Sequence, residues 1–223
     1  MLKEILHLWK NHEIMSKAVT TFGEMLTECH GLFVSSWRVF NSKEVSEAES
    51  ENIHNRDRVI NEKEREIRRL LVEHLAMNPG EDASGCLALM SVIKDAERIG
   101  DHSKNVYDLA MLSKDILPRI THLEICTEIY GNISQSLKNL SEAFIDSDET
   151  MAREILDRYM KTKPLCNKIV QDMFTQDVPK KEAITVVLLA RHLKRVNSHT
   201  SNVASGIFFP LDKIDFVRAG LVD

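Results

Sequence analysis

Over most of its length the sequence repeats apolar residues every three or four positions, in runs too long for strands and cut by only a few breakers. Those breakers stand at Pro79-Gly80 ahead of Asp82, at Pro118 after Asp115, at Asp146-Ser147-Asp148 and at Pro179 after Asp177, each a stop with capping residues beside it. They divide the chain into six long helices, expected near residues 1–40, 44–77, 83–115, 117–145, 148–175 and 180–209, with a ragged tail after Pro210. Eight glycines and 6% aromatic residues, set among much Leu, Glu, Lys, Arg and Ala, suit helices and no sheet. The fold class that follows is all-α. Pro164 falls inside the fifth run, which predicts a kink or a late start there.

A second regularity groups the six helices as three plus three. DAERIGDHSKNV at residues 95–106 returns, altered, as HLKRVNSHTSNV at residues 192–203. Glu97 and Lys194 are 194 − 97 = 97 residues apart, and at that offset Arg98 meets Arg195, Ile99 meets Val196, His102 meets His199, Ser103 meets Thr200, Asn105 meets Asn202 and Val106 meets Val203. A period this long is a duplicated domain and not a solenoid repeat. The expectation is two tandem three-helix bundles with a pseudo-twofold internal repeat, residues 1–115 and 116–223.

Composition excludes several classes. The net charge is −5 with both signs interleaved, so no basic footprint for nucleic acid appears. Cys29, Cys86, Cys126 and Cys166 are widely spaced, form no C-x-x-C and follow no secretory leader, so they are expected reduced, in the cytoplasm. The longest largely apolar run, AITVVLLA at 183–190, is far short of the roughly 20 residues a bilayer crossing needs. Any membrane role then passes through a partner.

One polar constellation interrupts this ordinary helical pattern. Residues four apart stand above one another on a helix, so Glu97 and Asp101 share a face, as do Asp57 and Asn61. Asp57 borders the seam of Ile53, Ile60 and Ile67. On the third helix Lys94, Glu97, Asp101 and Asn105 form a polar window in a line that begins at Leu87 and Met90 and resumes at Leu109 and Leu112. Val92, Ile99 and Val106 line the opposite side. Converging carboxylates at about 5 Å repel by roughly 3 kcal/mol at an effective dielectric near 20, so the window needs a cation. Hard oxygen donors suit Mg, Ca, Mn or Fe, and Zn where a histidine such as His102 joins. Without a metal, Arg98 and Lys94 would close the window as an ion-pair network. Gly100 beside it costs about 1 kcal/mol relative to Ala in mid-helix, which suggests close approach of a neighbouring helix or ligand.

The run D-x-E-R-I-G-D-H-x-x-N-V, with D-x-x-x-N upstream, in two tandem three-helix units, resembles the PhoU family of phosphate-signalling and phosphate-transport regulators. The resemblance spans nearly the whole chain. It implies a multinuclear iron or zinc cluster in the first repeat, with Asp57, Asn61, Glu97 and Asp101 as metal ligands. The second repeat departs from the pattern, with Tyr159 and Lys163 facing Lys194 and Ser198, and is expected to hold no metal. The resemblance further implies a cytoplasmic, non-enzymatic adaptor that contacts membrane phosphate-transporter components or a sensor histidine kinase, and exposed seams between the two bundles suggest a homodimer. A close variant is the PhoU-like accessory domain of sodium-phosphate symporters. From another class comes a metal-dependent bundle enzyme, against which stands the absence of H-E-x-x-H, G-x-x-x-x-G-K-[ST] and G-x-S-x-G motifs.

Overall fold

A computed structural model describes residues 9, 13–42, 44–78, 80, 82–117, 121–209 and 213–214. Pro79, Pro118, the start of the first expected helix apart from Trp9, and most of the tail after Pro210 lie outside the described residues. Among the described residues there are six helices and no strand: α1 Glu13–Asn41, α2 Glu47–Met77, α3 Ala83–Ser113, α4 Leu123–Ile145, α5 Glu149–Thr175 and α6 Lys180–Ser205.

Local chemistry sets several boundaries. Ser46 caps α2 with a reciprocal pair of bonds, its Oγ accepting from the Glu49 amide at 3.2 Å while its own amide donates to Glu49 Oε2 at 3.1 Å. Asp148 Oδ1 accepts from the Met151 amide at 3.0 Å and starts α5. Ser147 just before it turns the chain with φ 53°. The fourth helix begins later than its expected residue 117, because His122 adopts φ 63° immediately ahead of Leu123. Pro164 does not delay α5, which runs unbroken from Glu149 with the proline inside it on an exposed face.

Each half packs in the same way. Helices α1, α2 and α3 contact one another pairwise, as do α4, α5 and α6, and the halves meet through α1 on α4 and α3 on α6. The α1–α4 contact is aromatic, with Trp37 stacked on Tyr130 at 4.5 Å and Phe22 edge-on to Phe144 at 4.6 Å. One continuous apolar core runs through both halves. The duplication extends to hydrogen bonds: Ser103 Oγ donates to the Ile99 carbonyl at 2.6 Å, and Thr200 Oγ to the Val196 carbonyl at 2.7 Å, each partner displaced by the same 97 residues.

The face that α3 buries differs in part from the expected one. Val92, Ile99 and Val106 are fully buried, but Leu87 is 56% and Leu112 76% exposed, so the line through Lys94, Glu97 and Asp101 is not an apolar stripe with a polar gap. It is a solvent-bordering edge of α3, and only Leu109 of its apolar members is buried. Gly100 does mark a close approach. A Cβ there would stand 3.1 Å from Ile60 Cδ1 and 3.3 Å from Ile60 Cγ2, which brings α2 against α3 beside the carboxylates.

Candidate functional site

The close packing of α2 on α3 sets the polar residues of the two helices along one edge. Asp57 on α2 is mostly buried and takes Lys104 Nζ of α3 on its Oδ2 at 3.0 Å. That contact, chiefly the hydrogen bond, raises the lysine pKa above its ordinary value. Asn61 turns its amide back onto its own helix, donating from Nδ2 to the Asp57 carbonyl at 3.0 Å. On α3, Glu97 takes Lys94 at 2.7 Å and Arg98 Nε at 3.6 Å, and Asp101 takes Arg98 Nη1 at 2.8 Å.

Three residues outside the expected set, Glu64, Arg68 and Lys104, complete this edge. Glu64, buried on α2, pairs with Arg68 at 2.8 Å and lies 3.9 Å from Lys94, which ties it to Glu97. Arg68, Glu64, Lys94, Glu97, Arg98 and Asp101 thus alternate in charge from one helix to the other. The sequence held a signal for Glu64, seven residues beyond Asp57 and therefore on the same side of α2. The partner of Asp57, Lys104, is three residues past Asp101 on α3.

A metal centre at Asp57, Asn61, Glu97 and Asp101 would need these oxygens to converge on one point. The donor chemistry is right for a hard ion, but the arrangement does not fit one. Every carboxylate has its own lysine or arginine, and among the described residues no three or more His, Cys, Asp or Glu side chains stand together as a donor set. In the second half Lys194 Nζ donates to Asn167 Oδ1 at 2.7 Å, and Lys163 Nζ lies 5.3 Å from the centre of the Tyr159 ring.

A second polar cluster lies on the α3–α6 seam between the halves. Asp95 on α3 is buried, and its Oδ1 accepts from both His199 Nδ1 at 2.6 Å and Asn202 Nδ2 at 2.8 Å of α6. His102 stacks on His199 with ring centres 5.7 Å apart and planes 13° from parallel, and its Nδ1 stands 3.5 Å from His192 Nδ1. Burial, aided by the charges of His199, His192 and Arg195, pushes the His102 pKa down to about 4, and burial lowers that of His192. The sequence echo pointed to His102 and His199 as counterparts. The same offset sets Asp95 opposite His192, a carboxylate against an imidazole, but gave no sign that either would meet the other histidines across the seam.

The model of the PhoU domain matches residues 22–110 and 127–207, one match for each half. The chain belongs to the PhoU family. A phosphate-specific transport system accessory protein PhoU homolog of Clostridium acetobutylicum is 24% identical over 186 residues, 77% of this chain and 83% of that protein. The crystal structure of PhoU from Pseudomonas aeruginosa superposes with a TM-score of 0.77 at 16% identity, covering 90% of this chain and 97% of that one. The phosphate transport system regulatory protein PhoU of Streptococcus pneumoniae superposes at 0.73 with 18% identity, covering 98% and 100%. The PhoU fold therefore accounts for both halves and for their junction. No helix among the described residues is long and apolar enough to cross a membrane.

Proposed function

We propose that this chain is a cytoplasmic accessory regulator of a phosphate transport system, acting by contact of its helical surface with membrane transporter components or with a sensor histidine kinase, and not by catalysis. The observation that carries this is the match of the PhoU model to both halves, joined with a relative whose name is that of a transport accessory protein. Long helices without catalytic loops suit recognition of partner helices. The symporter variant shares this chemistry and differs only in which transporter is met. Deletion of the gene with measurement of phosphate uptake, together with co-purification from solubilised membranes, tests the reading. Altered uptake and retention of a transporter or kinase component support it; unchanged uptake with neither component retained overturns it.

The carboxylates of the first half admit two readings, and the pairing distances favour one. PhoU kinship makes an iron or zinc cluster on Asp57, Asn61, Glu97 and Asp101 the natural expectation. The 2.7, 2.8 and 3.0 Å contacts to Lys94, Arg98 and Lys104 favour an alternating ion-pair ladder that joins α2 to α3. A metal would have to displace all three cations. Elemental analysis of protein purified without chelator separates the two: no stoichiometric metal supports the ladder, whereas iron or zinc that is lost in a Glu97→Ala/Asp101→Ala variant establishes the cluster. Association of two copies belongs to the same proposal and is read from sedimentation.

A further inference from the structure

Under the internal repeat, the edge between α5 and α6 is the counterpart of the carboxylate edge between α2 and α3, and only one sign of charge has survived the copying. On α6 the offset of 97 puts Arg191 at the place of Lys94 and Arg195 at that of Arg98, so both cations are kept. Their acids are not: Lys194 stands for Glu97 and Ser198 for Asp101. On α5, where Tyr159 answers to Asp57 at an offset of 159 − 57 = 102, Lys163 takes the place of Asn61 and Cys166 that of Glu64. Every acid of the first edge is gone from the second.

The cations that remain have no acid. Lys194 Nζ donates to the neutral Asn167 Oδ1 at 2.7 Å, and Lys163 Nζ stands 5.3 Å from the centre of the Tyr159 ring. Among the described residues no ion pair joins Lys163, Arg191, Lys194 or Arg195 to a carboxylate. Asp101 of α3, whose field reaches His102 together with that of Arg195, is already held by Arg98 at 2.8 Å. In a chain of net charge −5, this edge gathers positive charge alone.

The same edge runs on into an apolar one. Ile184, Leu188, Arg191, Arg195 and Ser198 are spaced by four and three residues and share one stripe of α6, as do Lys163, Asn167, Val170 and Phe174 on α5. The two helices are antiparallel, with Asn167 against Lys194 and with Phe174 and Ile184 at one hollow beyond them. That hollow, about 250 Å³, is lined by Met173, Phe174, Ala183, Ile184, Val187 and Leu188, and Phe174 is 86% exposed. From Ile184 to Arg195 the groove extends ~16 Å, three turns of a helix.

We propose that the α5–α6 groove binds an acidic amphipathic helix of a partner protein, its apolar side chains in the hollow and its carboxylates on Lys163, Arg191, Lys194 and Arg195. The first half indicates which anion belongs there, since the equivalent cations Lys94 and Arg98 are met by the carboxylates of Glu97 and Asp101 at 2.7 and 2.8 Å. In the second half those carboxylates come from outside. The adjoining hollow calls for hydrophobic side chains on the same partner, one or two turns from its acids, which a free anion lacks and a helix laid in a groove supplies. This surface rests on the adaptor reading above only in taking a protein as its ligand, and its test involves neither a transporter nor phosphate uptake.

The test is titration of the full chain with a helical peptide of about 18 residues that carries leucines on one stripe at one end and glutamates on that stripe at the other. Saturable binding below ~1 mM peptide is expected, with the first shifts at the Ile184 and Leu188 methyl groups and with weakening as salt is added. A peptide with lysine in place of each glutamate should bind ~10-fold more weakly or worse. Arg191→Glu/Arg195→Glu, at two exposed positions without ion pairs, should weaken the acidic peptide by ~10-fold or more and improve the lysine peptide, an exchange that loss of folding cannot produce. Binding that is absent at ~1 mM, equal for the two peptides or unchanged in the double variant would overturn the groove. Saturation of these residues by inorganic phosphate or by phosphatidylglycerol vesicles, with no binding of the peptide, would overturn it as well.

Discussion

Asp95 ties α3 of one half to α6 of the other through two hydrogen bonds, and its truncation to alanine is a sharp test of the seam. The carboxylate is 7% exposed, and one oxygen, Oδ1, accepts both His199 Nδ1 and Asn202 Nδ2. Hydrogen bonds to a charged group are worth about 1.5–3 kcal/mol each, while a buried carboxylate opposes this with its desolvation. After truncation that desolvation cost is relieved, but two donors lose the acceptor they share across the seam. The donors keep partial access to water, with the His199 side chain 16% exposed, so the net loss falls near the lower part of the summed range, about 3 kcal/mol. For a chain of this length, each kcal/mol moves the melting temperature by about 2–4 °C, so the midpoint should fall by roughly 6–12 °C.

The geometry also predicts an asymmetry between substitutions. Because both bonds end on a single oxygen, Asp95→Asn can keep both while losing the charge, and should cost only about 1 kcal/mol. Denaturant unfolding at neutral pH measures both variants, and a double-mutant cycle with His199→Ala isolates the cross-seam pair, with an expected coupling of about 1–2 kcal/mol. If Asp95→Ala costs less than Asp95→Asn, or if Asp95→Ala and His199→Ala add within about 0.5 kcal/mol, the bonds are not what holds α3 to α6.

Three further outcomes follow from particular contacts. Gly100→Val should destabilise by about 1–3 kcal/mol, since even a Cβ would stand 3.1 Å from Ile60, and Ile60→Ala in the same chain should recover part of it in thermal melts. Pro164→Ala should stabilise by about 1–3 kcal/mol, because the proline deletes one hydrogen bond from the interior of α5 at an exposed position; a lower melting temperature would show that its ring is needed for packing. The four cysteines are buried, and burial pushes the Cys86 and Cys166 thiols up to about 11 and Cys126 to about 12, so none should react with a thiol reagent at pH 8 until denaturant is added. A raised thiol pKa contributes stability that is lost as pH climbs above the ordinary value of 9 toward those values, and alkaline melts should show that loss.

What could be seen in the sequence was set by period and punctuation. Six helices were legible because their apolar spacing is long and regular and because residues such as Asp148 and Ser147 sit where a helix must stop and restart. The late start at Leu123 was not legible, since it depends on His122 taking a left-handed conformation that histidine rarely signals. For the carboxylates, helical spacing correctly put Glu97 beside Asp101 and Asp57 on the edge of the α2 seam. It could not say what neutralises them, because Lys94 and Arg98 come from the same helix while Lys104 reaches Asp57 from the next, and one-dimensional spacing counts both kinds of neighbour alike. Leu87 and Leu112 misled for a related reason: three- and four-residue steps drift around a helix, and over the 31 residues of α3 a line drawn through them leaves the buried face before it returns. The duplication carried information that periodicity lacked. It set His102 and His199 as equivalents, and the structure shows these two equivalents stacked where α3 meets α6; Asp95 against His192, a position where the copies disagree in chemistry, is where the two halves make different contacts. In a duplicated fold the departures from symmetry are therefore better guides to acquired chemistry than the matches, which record mainly how the halves pack.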